Sequence, residues 1–301
     1  MVNTSKLARS ITRSSSKQTY YTALLMVDRD LIDDFFRAYA YFRWVDDFID
    51  IYSTTADEPI AFIERQKTLI DLFYSQGSES DLAPQEQIAA DLIQNDRAKN
   101  SGLQSFIRNM LAIIEFDARR RGQLVTEEEL RWYTERLGIS VTDGIQYFIG
   151  NGHPYPQSEQ KFLAATGAHI AHLLRDMHVD IADGFINIPI EYLEKHNLEP
   201  QSVDNQEYEA WVKGQVDQAH QLFHEGKRYL ESLAVLRCKV VGYWYCARFE
   251  GVLEAIERDG YVLRPSYDDQ KQFSAWLRML GIWMTVSIRH MLRKPTPVNK
   301  I

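Results

Sequence analysis

The sequence predicts an all-α protein, a single large helical domain over residues 1–301. Three observations predict it. Apolar residues recur at steps of three and four, the period of a helix face, through most of the chain. Alternating, strand-like patterns are nearly absent. Gly and Pro collect at the joints between periodic segments, and no repeat, low-complexity linker or composition shift marks a domain boundary.

The elements follow in order. Tyr20 to Val27 reads as a short helix. Asp30 to Tyr52 places Leu31, Phe35, Tyr39, Phe42 and Val45 at helical steps. Pro59 suits the first turn of a helix to Ser75, and Gln76 to Asp81 is a loop. Helices are expected at about 85–98 and 103–120. Thr126 and Glu129 form a capping box that starts a helix to Gly144 or beyond. Gly150 to Gln157 is a loop, Gln160 to Ile181 a helix, and Asp183-Gly184 a turn. Further helices are expected at about 206–231, 233–259 and 269–293.

Composition narrows the function. The net charge of −8, from 34 Lys and Arg against 42 Asp and Glu, argues against a nucleic-acid partner, though not against one local basic pocket. Cys238 and Cys246 have neither a CxxC nor a zinc spacing and read as reduced core cysteines, which points to a cytoplasmic protein. The apolar run Met279–Ile288 is half the ~20 residues a membrane span needs. The basic first residues, Lys6, Arg9, Arg13 and Lys17, lack the apolar core of a secretory signal and leave an organelle presequence as one reading. The last helix carries Trp276, Leu277, Leu280, Trp283 and Met284, then Arg289, Arg293 and Lys294. Core packing with a basic cap is the expectation there, and contact with a membrane surface the alternative.

Two segments carry chemistry. In Arg43-Trp-Val-Asp46-Asp47-Phe-Ile-Asp50, helical spacing puts Arg43, Asp46 and Asp50 on one stripe and points Asp47 elsewhere. Carboxylates among so many aromatic residues repel unless a cation lies between them, and magnesium takes oxygen ligands while bridging to phosphate. Taken alone, this DxxxD is equally a solvated helix end with an Arg43–Asp46 pair. The second segment, Arg175-Asp176-Met-His-Val-Asp180, repeats the pattern. Two such helices in one all-α chain favour metal-bound diphosphate, which would leave an allylic cation that needs an aromatic-rich cavity. His169 and His172 extend the second stripe. They read best as substitutes for an amide, hydrogen-bonding to waters or phosphate, ahead of acid–base work or a transition metal. Arg119-Arg120-Arg121 reads as a solvated face before an anion patch.

These residues resemble the squalene/phytoene synthase family, over nearly the whole chain. Tyr39-Ala-Tyr-Phe-Arg43-Trp-Val-Asp46-Asp47-Phe-Ile-Asp50 is similar to the first aspartate-rich motif, YAxxRxxDDxxD, and His169 to Asp180 to the second. Ser16-Lys17 before Tyr20-Tyr21 resembles the N-terminal diphosphate-binding segment, and Phe116-Asp117 with Thr126 to Tyr133 and Phe249 to Tyr261 resemble two others. The resemblance implies the type I isoprenoid synthase fold with a central cavity. It implies Asp46, Asp50, Asp176 and Asp180 as holders of Mg2+. Ser16, Lys17, Arg43, His169, His172, Arg175 and Arg264 would meet the diphosphate, and Tyr39 the reacting carbons. The implied substrates are farnesyl or geranylgeranyl diphosphate, coupled head-to-head through a cyclopropyl intermediate by a monomer or weak homodimer that touches a membrane to release product. Some members then reduce with NADPH; nothing here indicates it, although members that do so also lack a Rossmann fingerprint.

The pattern breaks in one region. His169 and His172 stand for a Gln and an Asn, Val179 for a Glu, Phe185 for an Arg, Asn187 for a Tyr and Phe249 for a Tyr. Each change is expected to remove a polar contact near the diphosphate or metals. Altered chemistry, such as cyclisation or another prenyl acceptor, and a non-catalytic assembly protein are therefore kept as alternatives. The four retained aspartates favour catalysis.

Overall fold

Helix after helix, joined by short loops, accounts for most of the chain in the computed structural model, which describes residues 3–49, 57–96, 98–267 and 272–292. The α-helices among them are α1 (Thr4–Ser15), α2 (Lys17–Met26), α3 (Ile32–Asp47), α4 (Asp57–Tyr74), α5 (Pro84–Asn95), α6 (Gly102–Arg120), α7 (Glu127–Phe148), α8 (Leu163–Asp183), α9 (Ile190–His196), α10 (Gln206–Ser232), α11 (Leu236–Arg258) and α12 (Gln272–Leu292). No strand occurs among the described residues; Val125 and Pro189 make one isolated parallel bridge. The fold class is all-α, as expected.

Most elements match the periodicity of the sequence, and the capping box forms, with Thr126 accepting from the Glu129 backbone N–H. Two helices were not expected. In α1 the fully buried positions are Thr4, Ala8 and Thr12, and the apolar stripe is confined to Leu7, Ala8 and Ile11 in a run of Ser, Thr and Arg, too short to announce it. Both its arginines are engaged within the fold: Arg9 pairs with Asp33 at 2.7 Å and lies over Phe36, and Arg13 lies over Tyr20. Helix α9 is a single short piece between Pro189 and Asn197, whose left-handed backbone (φ 51°) ends it.

The chain divides into two compact units, Met1–His153 with Val179–Ser202, and Pro154–His178 with Val203–Ile301. Helix α8 contributes to both. In the first, α3 packs on α1 and α5, α4 on α5 and α6, and α6 on α7. Phe36, Tyr41, Ile63, Ile88, Leu92, Leu103 and Ile107 fill its core. One polar chain crosses it: the Tyr41 hydroxyl donates to Gln66, Gln66 donates to Glu86, and Arg65 clamps both oxygens of Glu86. These partners offset the cost of burying a carboxylate.

In the second unit α8 and α10 meet so closely that a Cβ on Gly226 would lie 2.3 Å from the Ala164 backbone nitrogen. Gly167 faces Ala219 and Leu222 in the same way. Helix α11 buries Cys238 and Cys246, both reduced, and burial pushes the Cys246 thiol up to about 12. Helix α12 corrects an expectation. Its Leu277, Leu280, Trp283 and Met284 are not core residues; each is at least 45% exposed, and Ile288, Met291 and Leu292 extend the face. Trp276 and the bases Arg293 and Lys294 lie outside the residues whose side chains are described.

Candidate active site

Helix α3 delivers the first carboxylates. Its apolar positions, Phe36, Ala40 and Val45 among them, turn inward and leave Arg43 and Asp46 outward. Asp46 is 54% exposed at its side chain and lies 3.7 Å from Arg43. Asp47 does not point away as expected. It accepts a short hydrogen bond from Arg43, because a guanidinium reaches both its i+3 and i+4 neighbours. That bond, ahead of the nearby charges, keeps Arg43 firmly protonated. Beyond Asp47 the helix widens into a π-type turn at Phe48 and Ile49, with Phe48 stacked on Phe62 at 3.8 Å. Tyr39 lies one turn before Arg43, partly buried. Asp50 lies outside the described residues.

Helix α8 delivers the second set. Within the second unit, Arg175 grips its neighbour Asp176 through two hydrogen bonds of 2.7 and 2.6 Å. His172, one turn earlier, meets the same carboxylate at 2.9 Å. Burial pushes the Asp176 pKa up, but the hydrogen bonds and charges of Arg175 and His172 outweigh it and hold the group below the usual carboxylate range. His172 thus lies beside a carboxylate of its own helix. His169 is buried at 6% exposure, its ring 6.3 Å from that of His172. Phe249 is buried against His172 and Tyr245, a tyrosine one turn before it on α11.

Asp180 belongs to the first unit, where the reading of Asn187 as a lost contact is overturned. The Asn187 amide donates to Asp180 Oδ2 at 2.7 Å. Its oxygen accepts from Arg120 at 2.8 Å. Arg120 is also not the solvated base expected from its run. It is 6% exposed, while Arg119, the preceding residue, pairs with Glu115 and Glu64 at the surface. Helical geometry separates them by ~100°, and only one of the two faces the core. No sequence signal distinguishes them short of the apolar phase of α6.

The other candidates stand apart from these carboxylates in what they touch. Ser16 caps α2, accepting from the Thr19 N–H, and Lys17 is exposed in the first turn. Arg264 folds back on Asp259 through contacts of 2.5 and 2.7 Å and lies over Tyr267.

Electrostatically, both carboxylate helices are unusual at their ends. Asp46 and Asp47 close α3, and Asp180 and Asp183 close α8, with no base in either last turn. Acid at a helix C-terminus meets the negative end of the helix dipole and costs ~0.3–1 kcal/mol per charge. Arg43, one turn back, answers both acids of α3, and Arg121 donates to the Asp183 carbonyl at the end of α8. The donors are all carboxylate oxygens, the ligands Mg2+ prefers, and Asp46 is open to solvent. Among the described residues no three His, Cys, Asp or Glu converge into a preformed metal centre.

A model of the squalene/phytoene synthase family matches residues 12–276. The 15-cis-phytoene synthase of a Synechocystis species is 23% identical over 272 residues, 85% of this chain and 77% of that one. Among solved structures, the squalene synthase HpnC of Alicyclobacillus acidocaldarius superposes with a TM-score of 0.69 at 22% identity, covering 87% of this chain and 95% of that one. A dehydrosqualene synthase solved with a ligand gives 0.68 at 16% identity, covering 95% of each chain. These likenesses share one all-α isoprenoid synthase fold.

Proposed function

Because this chain belongs to the squalene/phytoene synthase family, we propose that it is a Mg2+-dependent prenyltransferase that joins two prenyl diphosphates head-to-head and releases diphosphate. The product would be of squalene, dehydrosqualene or phytoene type. The observation that carries this reading is that α3 and α8 each present aspartates beside an arginine, Asp46 and Asp47 against Arg43 and Asp176 against Arg175. Membership accounts for prenyl diphosphate chemistry in general; the metal, the product and the residue roles are our proposal.

In this reading Asp46, Asp50, Asp176 and Asp180 hold Mg2+. Bound there, the metal neutralises the diphosphate and makes it a better leaving group. The chain's own residues do the rest. Arg175 and His172 keep Asp176 ionised and fix its orientation. Arg43 bridges Asp46 and Asp47 and offers its remaining N–H groups to diphosphate oxygens. Ser16 and Lys17 add a capped helix N-terminus with a cation, a suitable pairing for an anion. Arg264 reaches diphosphate only by leaving Asp259. Tyr39 and the surrounding aromatic rings would shelter the allylic cation. No residue points to NADPH.

Product release we assign to a lipid surface. Helix α12 exposes a row of large apolar side chains and contains no acid in a chain of net charge −8; its charges are Arg278, Arg289 and His290. No described helix is long and apolar enough to cross a membrane.

The test is direct. Purified protein is incubated with Mg2+ and farnesyl or geranylgeranyl diphosphate, and extracts are analysed by mass spectrometry. A C30 or C40 hydrocarbon with diphosphate release supports the reading. No diphosphate release at any chain length sinks it, and release with a cyclic or heteroatom-linked product replaces the condensation with altered chemistry.

A further inference from the structure

The surroundings of Asp180 show how its carboxylate is aimed. Asn187 is 1% exposed. Its Nδ2 donates to Asp180 Oδ2 at 2.7 Å and its Oδ1 accepts from Arg120 at 2.8 Å. A guanidinium only donates and a carboxylate only accepts, so the amide fits this gap in one orientation alone. Arg120 is itself immobilised. Its Nε donates to Asp117 at 2.7 Å, and Phe116, Tyr133 and Phe185 pack rings 5.0–5.4 Å from its charge. The second oxygen of Asp117 accepts from the Tyr133 hydroxyl at 2.9 Å. The backbone repeats the tie. The Phe185 N–H donates to the Asp180 carbonyl at 2.7 Å, and the Gly122 N–H to the Gly184 carbonyl at 2.7 Å.

We propose that Asn187 is a positioning residue for the metal site: it fixes the rotation of the Asp180 carboxylate, and buried Arg120, paired with the partly buried Asp117, fixes Asn187. The inference rests on the proposed role of Asp180 as a Mg2+ ligand. A buried arginine, ringed by three aromatic side chains and paired with a partly buried carboxylate, is more than packing requires. An apolar side chain of similar volume would fill the Asn187 position without needing Arg120 at all. What the amide adds is direction at one carboxylate oxygen. Partners that orient a metal ligand in this way are worth ~10–100-fold in metal affinity.

The experiment compares wild type with Asn187→Leu, which keeps the branched shape and removes the amide. Melting temperature is followed in EDTA and then against rising Mg2+ at a fixed concentration of inorganic pyrophosphate. We expect the Mg2+ concentration giving half the stabilisation to rise ~10-fold or more in the variant. Asn187→Ala decides the matter where the leucine does not fold. A variant that melts lower in EDTA but responds at the wild-type Mg2+ concentration overturns the proposal, since Asn187 would then be structural only. A wild type that ignores Mg2+ and pyrophosphate overturns the reading of the site itself, and this inference with it.

Discussion

Asp176 and Glu86 are both carboxylates held down by an arginine, yet they serve different ends. Glu86 sits in the core, its burial opposed by Arg65, the Ala83 N–H and Gln66, with a net lowering of its pKa. A depressed folded-state pKa stabilises the protein fully above the unfolded value of ~4.3, and that stability is lost as pH falls below it. Glu86→Gln should therefore cost about 2 kcal/mol at neutral pH, and the gap in melting temperature from wild type should close below pH ~4; a constant gap would refute the assignment. Asp176 is instead one of the proposed Mg2+ ligands. Asp176→Asn keeps the shape and loses the charge, and should lower turnover at least ~100-fold while leaving the far-ultraviolet circular dichroism unchanged. The Asp and Arg of each motif were legible in sequence because their spacing is helical. The grip of Arg43 on Asp47 was not, because spacing alone does not choose between i+3 and i+4 for a long side chain. Asn187 was misread for a related reason: nothing near it in sequence reveals that Arg120, 67 positions away, shares its amide.

Helix boundaries came out of periodicity within a few residues wherever a helix buries an apolar stripe, as α3, α6 and α10 do. Periodicity failed for α1, whose apolar stripe is only Leu7, Ala8 and Ile11 beside buried Thr4 and Thr12, and for α9, which is too short to display a period. The close crossing of α8 and α10 is a different kind of information. Gly226 has no special backbone angle; it is required because Ala164 leaves no room for a Cβ. Gly226→Ala should cost ~3 kcal/mol, read as a lower denaturant midpoint at unchanged slope. Because α8 carries His172 and Asp176, the same variant should weaken turnover beyond its loss of stability. An effect on stability alone would mean that α8 moves without disturbing its carboxylate.

Over the whole molecule, charge and apolar surface are distributed unevenly. An acidic chain ends in an acid-free helix with an exposed row of Leu277, Leu280, Trp283, Met284 and Ile288. Vesicles containing anionic lipid should co-sediment with the protein, and Leu280→Glu with Trp283→Glu should release it, as should high salt in part. Binding that survives both changes would place the contact elsewhere. This surface illustrates the division between what was readable and what was not. The sequence alone determined that the chain is helical, that two helices carry paired carboxylates beside an arginine, and to which family it belongs, because helical period and motif spacing are local. Only the tertiary structure decided which apolar faces are covered, that Arg120 is buried while Arg119 is not, and that a residue read as a loss, Asn187, holds a carboxylate in place. Those depend on contacts between residues far apart in the chain, and no local pattern encodes them.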